Sequence, residues 1–153
     1  MKYIKTILVV DDNEEISSEL AEIYKSLNYT VGLAPDGESA IEALHERDVD
    51  LVIMDLLLSD TSAVTLINRL KAASPDVEII VMTNFQNADL LSEALLSGAS
   101  LFVQKPIVPN QIIALSLKCL ERRWMRQENS RLMFDLAFTR EKLEEHSRRH
   151  SNT

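Results

Sequence analysis

Five short runs of continuously apolar residues punctuate the chain, and each is followed by a segment with helical spacing. The runs cover residues 7–10, 30–33, 51–54, 77–82 and 101–103. After the first, residues 14–27 place Ile16, Leu20, Ile23 and Leu27 three and four positions apart, which is one face of a helix. The turn Pro35-Asp36-Gly37 opens a second helix that ends around Glu46. A third is predicted over 62–73, closed off by Pro75, and a fourth over 87–97, stopped by Gly98. A fifth begins near Pro109, a favoured first-turn residue. Strands that are apolar throughout, rather than alternating, are buried on both faces, as in a parallel sheet. Crossover helices then cover both sides, giving a doubly wound α/β fold of five βα units.

In such folds the functional site lies at the carboxyl ends of the strands. Asp11 and Asp12 follow the first run, Asp55 ends the third, Thr83 ends the fourth and Lys105 follows the fifth. All five polar residues therefore fall on one edge of the sheet. Three crowded carboxylates repel one another and are costly to desolvate, and a hard divalent cation resolves this. Magnesium accepts a few carboxylates and keeps several waters. A bound metal also neutralises an incoming phosphoryl group and aligns it for attack by a carboxylate oxygen. Asp55 is the candidate nucleophile. Lys105 supplies a cation opposite the metal, and Thr83 a hydroxyl for a phosphoryl oxygen. Taken singly, Asp11 or Asp12 could cap the helix at Glu14, Asp55 could be a turn residue, Thr83 a helix cap and Lys105 a surface charge. Their convergence favours a site.

On these residues the chain resembles the response-regulator receiver family over roughly residues 4–120. The match rests on Asp11-Asp12, Asp55, Thr83 and Phe102 three residues before Lys105-Pro106, with Pro35-Asp36-Gly37 and Gly98-Ala99 as secondary matches. The resemblance implies a flavodoxin-like (βα)5 fold with strand order 2-1-3-4-5. It implies that Asp55 is phosphorylated by a histidine kinase, a phosphotransfer protein or a small phosphodonor. Mg2+ or Mn2+ would be held by Asp12 directly, by Asp11 mainly through water, by Asp55 and by the Leu57 backbone carbonyl. Lys105 would pair with the phosphoryl group and precede a cis bond to Pro106. Thr83 and Phe102 would act as a switch that remodels the surface around the fourth helix, fifth strand and fifth helix. The only catalysis implied is transfer onto, and loss from, Asp55.

Several positions depart from the family's usual pattern. Leu57-Leu58-Ser59-Asp60 stands where Met-Pro and a glycine are common, so the loop there is expected to differ in shape. Asn84 replaces the usual small residue after the threonine, and Leu57 and Phe85 occupy the positions that tune water access. Both are bulky and apolar, which predicts slow self-dephosphorylation.

Residues 1–120 carry eight Lys/Arg against eighteen Asp/Glu, and residues 121–153 eight against six. An acidic body is a poor nucleic-acid binder. The mixed-sign tail reads as a solvated helix face. No run is long and charge-free enough to span a bilayer, and no signal peptide is read at the start, so a cytoplasmic location is expected. Cys119 is the single cysteine and reads as a small core or interface residue. His146 and His150 are four apart and could grip a metal weakly, but an ordinary surface placement is favoured.

From Asn110 to Thr153 there is neither Gly nor Pro, so the fifth helix is predicted to continue. Met125, Asn129, Leu132, Leu136, Thr139, Leu143 and His146 alternate spacings of four and three, a heptad seam with a polar Asn that fixes register. This predicts a receiver over 1–120 and an extension over 121–153 that forms a parallel homodimeric coiled coil or links to an output domain or effector. Leu120, Trp124, Phe134 and Phe138 form a second apolar stripe. Two other functions are weighed. A haloacid-dehalogenase-type phosphohydrolase needs an acid two residues after the nucleophile, where this chain has Leu57. An unphosphorylated scaffold would leave the five-residue set without a role.

Overall fold

The computed structural model describes residues 4–84 and 86–151. Its elements run β1 (Thr6–Val10), α1 (Glu14–Ser26), β2 (Thr30–Ala34), α2 (Gly37–Glu46), β3 (Leu51–Asp55), α3 (Ala63–Ala73), β4 (Glu78–Thr83), α4 (Ala88–Ser97), β5 (Leu101–Gln104) and α5 (Pro109–Ser151). The strands form one parallel sheet in the order β2-β1-β3-β4-β5, as the resemblance implied. The three central strands are almost wholly buried and the two edge strands less so.

Successive residues of a strand face opposite sides. Leu8, Val10, Val52, Met54, Ile79 and Val81 therefore pack under α2, α3 and α4, with Leu66, Ile67 and Leu70 from α3. Ile7, Val9, Leu51, Ile53, Ile80 and Met82 face the other way, onto Leu20 and Tyr24 of α1 and Ile112 and Cys119 of α5. Tyr24 carries its hydroxyl into this layer and shares a 2.5 Å hydrogen bond with Ser116 of α5.

Short polar side chains start the helices. Asn13 accepts from the backbone N–H groups of Glu15 and Ile16 and caps α1, so neither Asp11 nor Asp12 is spent on that end. Asp36 caps α2 through Ser39, and Ser62 caps α3 through Thr65. A second carboxylate, Asp60, also reaches the start of α2 and accepts from Gly37 and Glu38 at 3.0 and 3.1 Å. Those bonds, Gly37 foremost, hold its carboxyl below the usual range. A side chain at position 37 would place its Cβ 2.5 Å from the Thr61 methyl group and force Thr61 or the loop to shift, so glycine lets the loop come this close.

Helix α5 is 43 residues long and unbroken. It runs down one face of the sheet, against the strand direction, and passes the edge where the strands begin. The expectation of a solvated tail fails at its root. Arg122, Arg123 and Arg126 turn onto the body, and Arg123 is 5% exposed. Past Arg126 the helix leaves the body, and Leu132, Phe134, Leu136, Phe138 and Leu143 stand exposed. At about 1.5 Å per residue this free part is roughly 37 Å long.

Candidate functional site

The parallel sheet sends every strand's carboxyl end to one edge, and the loops there bring the acids together. Asp11 lies just past β1 with its side chain fully buried, Asp55 ends β3 half-buried, and Asp12 is exposed. One oxygen from each of the three lies within 4.8 Å of the others. Lys105, directly after β5, bridges two of them: its Nζ is 3.3 Å from Asp11 Oδ2 and 3.3 Å from Asp55 Oδ2. The bond from Lys105 to Pro106 is cis.

Asp11 sits under opposing influences. Burial pushes its carboxyl above the ordinary value and Asp55 adds to this, while the Asn13 N–H at 2.9 Å and Lys105 pull it back. A carboxylate that is buried, crowded by another acid and only partly compensated is one that a cation would relieve. Three oxygens at this spacing, with Asp12 open to water, suit a hard divalent ion that keeps several waters.

Beside the acids is a cleft of about 90 Å3 lined by Asp55, Leu56, Leu57, Thr83, Asn84, Asn87 and Lys105. Thr83 is buried at the end of β4, the strand beside Asp55. The cleft therefore brings a carboxylate, a cation and a hydroxyl together. Leu57 is 50% exposed at its rim and donates its backbone N–H to Asp55 Oδ1 at 3.4 Å. Asn84 turns its side-chain oxygen to the backbone N–H of Gln86 at 3.2 Å. Phe85, the other position expected to tune water access, lies outside the described residues. Phe102 projects from β5 with 38% of its surface exposed.

A second set of charges escaped sequence reasoning. Asp50, just before β3, is wholly buried and meets Arg123 Nη1 at 2.6 Å; its other oxygen accepts from the Thr6 N–H at 2.8 Å. Glu78, the first residue of β4, accepts from Ser100 at 2.6 Å and from Arg122 at 2.6 Å, with Arg126 at 3.4 Å. For Glu78 a signal was available: it lies inside the apolar run 77–82, and an acid in a buried run must be paired.

Comparison with known proteins gives one consistent result. The family model described as "Response regulator receiver domain" matches residues 7–116. The transcriptional regulatory protein ZraR of Escherichia coli (strain K12) is 31% identical over 101 residues, which is 66% of this chain and 23% of that protein. The two-component response regulator PprB of Pseudomonas aeruginosa is 30% identical over 131 residues, 83% of this chain and 47% of that protein. The chain thus spans less than half the length of these relatives. Among solved structures, a signal receiver domain of an HD domain-containing protein from Pseudomonas fluorescens Pf-5 superposes with TM-score 0.79 at 27% identity, covering 84% of this chain and 95% of that one. The beryllofluoride-activated NtrC4 receiver domain dimer superposes with TM-score 0.73 at 28% identity, covering 78% and 99%.

Proposed function

The chain belongs to the response regulator receiver family, and from that premise we propose that it is a signalling receiver accepting a phosphoryl group on Asp55 from a histidine kinase, a phosphotransfer protein or a small phosphodonor. The observation that carries this is the double contact of Lys105, 3.3 Å from both Asp11 and Asp55, at the open cleft. A carboxylate oxygen of Asp55 attacks the phosphorus atom, the bond from phosphorus to the donor breaks, and an acyl phosphate is left. Lys105 then exchanges its contact with the Asp55 carboxylate for one with a phosphoryl oxygen. Thr83 offers its hydroxyl to another. Asp11, Asp12, Asp55 and the Leu57 carbonyl would hold Mg2+ or Mn2+, which supplies charge neutralisation at the transferring group when bound.

The consequence is a change of surface rather than a released product. Thr83 moving towards the phosphoryl group vacates space that Phe102, now outward, would enter. This alters the face made by α4, β5 and α5. Leu57, Asn84 and Phe85 set the lifetime by limiting in-line water.

The division into a receiver over 1–120 and an extension over 121–153 falls inside α5. The seam from Met125 to His146 supports a parallel homodimer through the extension, with linkage to a downstream effector as its outcome. The NtrC4 receiver is a dimer in its activated form. No described helix is long and apolar enough to cross a membrane, which is compatible with work in the cytoplasm beside a kinase.

Incubation with acetyl phosphate and Mg2+, followed by a phosphate-affinity gel, tests the proposal. A shifted band that disappears on chelation supports it; no shift with any small donor or kinase favours the unphosphorylated scaffold. Sedimentation of the chain with and without residues 121–153 tests the dimer.

A further inference from the structure

Apolar packing of α5 on the body ends at Cys119 and Leu120. Directly beyond it three arginines grip two buried carboxylates. Arg123 reaches Asp50 at 2.6 Å and Asp48 at 3.5 Å. Arg122 and Arg126 converge on Glu78, and Arg126 also donates to the Asp76 carbonyl at 3.1 Å. A planar guanidinium between fixed acceptors is directional. The grip therefore fixes the rotation of α5 about its own axis as well as its position.

Rotation matters because the free arm carries two apolar stripes. At about 100° per residue, Leu132 lies roughly 180° round the helix from Arg123, and Met125 and Leu143 roughly 160°. On the same count Phe134 lies only about 20° from Arg123 and Phe138 about 60°. The Leu132 stripe thus points away from the receiver body, while the Phe134 stripe continues the side on which the body sits. Two parallel copies meeting through the Phe134 stripe would drive their bodies into the same space. Meeting through the Leu132 stripe leaves the bodies outside the pair. In that arrangement Asp135 and Arg140 flank the Leu136 layer and oppose each other across the two helices, a matching of charge.

We infer that Arg122, Arg123 and Arg126, held by Asp50 and Glu78, are positioning residues that select the Leu132 stripe as the face on which a second copy of this chain docks. This rests on the dimer reading of the preceding subsection, and it adds which face mates and what decides it.

Single cysteines in the full chain test it, with the native Cys119 replaced by alanine. Leu136→Cys and Phe134→Cys are compared under mild oxidation on denaturing gels, alongside sedimentation. A thiol in the mating seam faces its own copy at high local concentration, so Leu136→Cys should cross-link about ten-fold more than Phe134→Cys. In the Asp50→Asn/Arg123→Met background, which strands neither buried charge, the preference should fall to within about two-fold. Circular dichroism checks that this background is folded, and Glu78→Gln/Arg122→Gln/Arg126→Gln, which removes the second buried carboxylate together with its cations, serves as a second clamp variant. A dimeric chain in which Phe134→Cys cross-links as well as Leu136→Cys overturns the inference but not the dimer. A preference that survives both clamp variants also overturns it. A chain that sediments as a monomer overturns the dimer reading and the inference together.

Discussion

Asp50 and Asp55 mark the two ends of a single strand, the first ion-paired to Arg123 where the strand begins and the second to Lys105 where it ends. β4 repeats the arrangement, with Glu78 at its start and Thr83 at its end. The two strands that carry the proposed acceptor and switch therefore also hold the root of the long helix. The reactive edge and the arm's anchor are the two ends of the same rigid elements.

The two pairs are expected to respond differently to mutation. Arg123→Ala leaves Asp50 charged and buried without its cation, and loss of one partner of a buried pair costs about 3–5 kcal/mol. Asp50→Asn/Arg123→Met should recover most of that loss, because neither charge is stranded. Asp55→Asn, which removes one of three crowded acids, should cost little or nothing. Urea unfolding of the four proteins checks the order.

Metal should stabilise the protein through the acidic edge. Magnesium at about ten times its dissociation constant adds roughly 1.4 kcal/mol to the unfolding free energy if it binds only the folded state. The gain should vanish in Asp12→Ala, where one ligand is lost but the fold is intact. Thermal unfolding with and without Mg2+ reads both.

Acid should loosen the arm's anchor. Burial pushes the Glu78 carboxyl up, but Ser100, Arg122 and Arg126 outweigh it and hold the group below its ordinary value of 4.5. A carboxylate depressed by folding stabilises above its unfolded value, and that contribution is lost as pH falls through the folded one. Stability should therefore decline below about pH 4.5. Glu78→Gln should flatten that limb of the profile, as measured by melting temperature against pH.

Cys119 should be inert in the folded chain. Burial, with Glu78 adding to it, pushes its thiol up to about 11, and the thiolate is the reactive form. A thiol reagent should label it only in denaturant, and Arg123→Ala should speed labelling in buffer by opening the end of α5.

Site access should govern the phosphoryl lifetime. Leu57 stands at the mouth of the cleft without a group to hold water. Leu57→Asn should hasten phosphate release from the phosphorylated protein, and wild type should be the slower of the two in a phosphate-release assay.

The βα pattern was legible because runs of Val, Ile and Leu at strand length are hard to place anywhere but in a buried parallel sheet. The acidic edge was legible for a related reason: once strands are parallel, the residue that ends each of them has a known address. Asn13 was overlooked as the cap of α1 because Asp11 and Asp12 are equally good caps by composition, and only geometry shows Asp11 turned inward. Asp60 was read as a departure from a loop pattern, whereas its carboxylate closes the start of α2 from 23 positions away. The arginine clamp was illegible as a clamp. A mixed-charge helix is ordinarily solvated, and nothing local reveals that Arg122, Arg123 and Arg126 pass beneath Asp50 and Glu78.

The most direct test of the central claim is chemical location of the phosphoryl group. Protein treated with acetyl phosphate and Mg2+ is reduced with borohydride, which converts an aspartyl phosphate to homoserine, and its peptides are mapped by mass. The account predicts conversion at Asp55 alone, lost in Asp55→Asn and in metal-free buffer. Conversion at Asp11 or Asp12, or no conversion at all with donor and metal present, would contradict it.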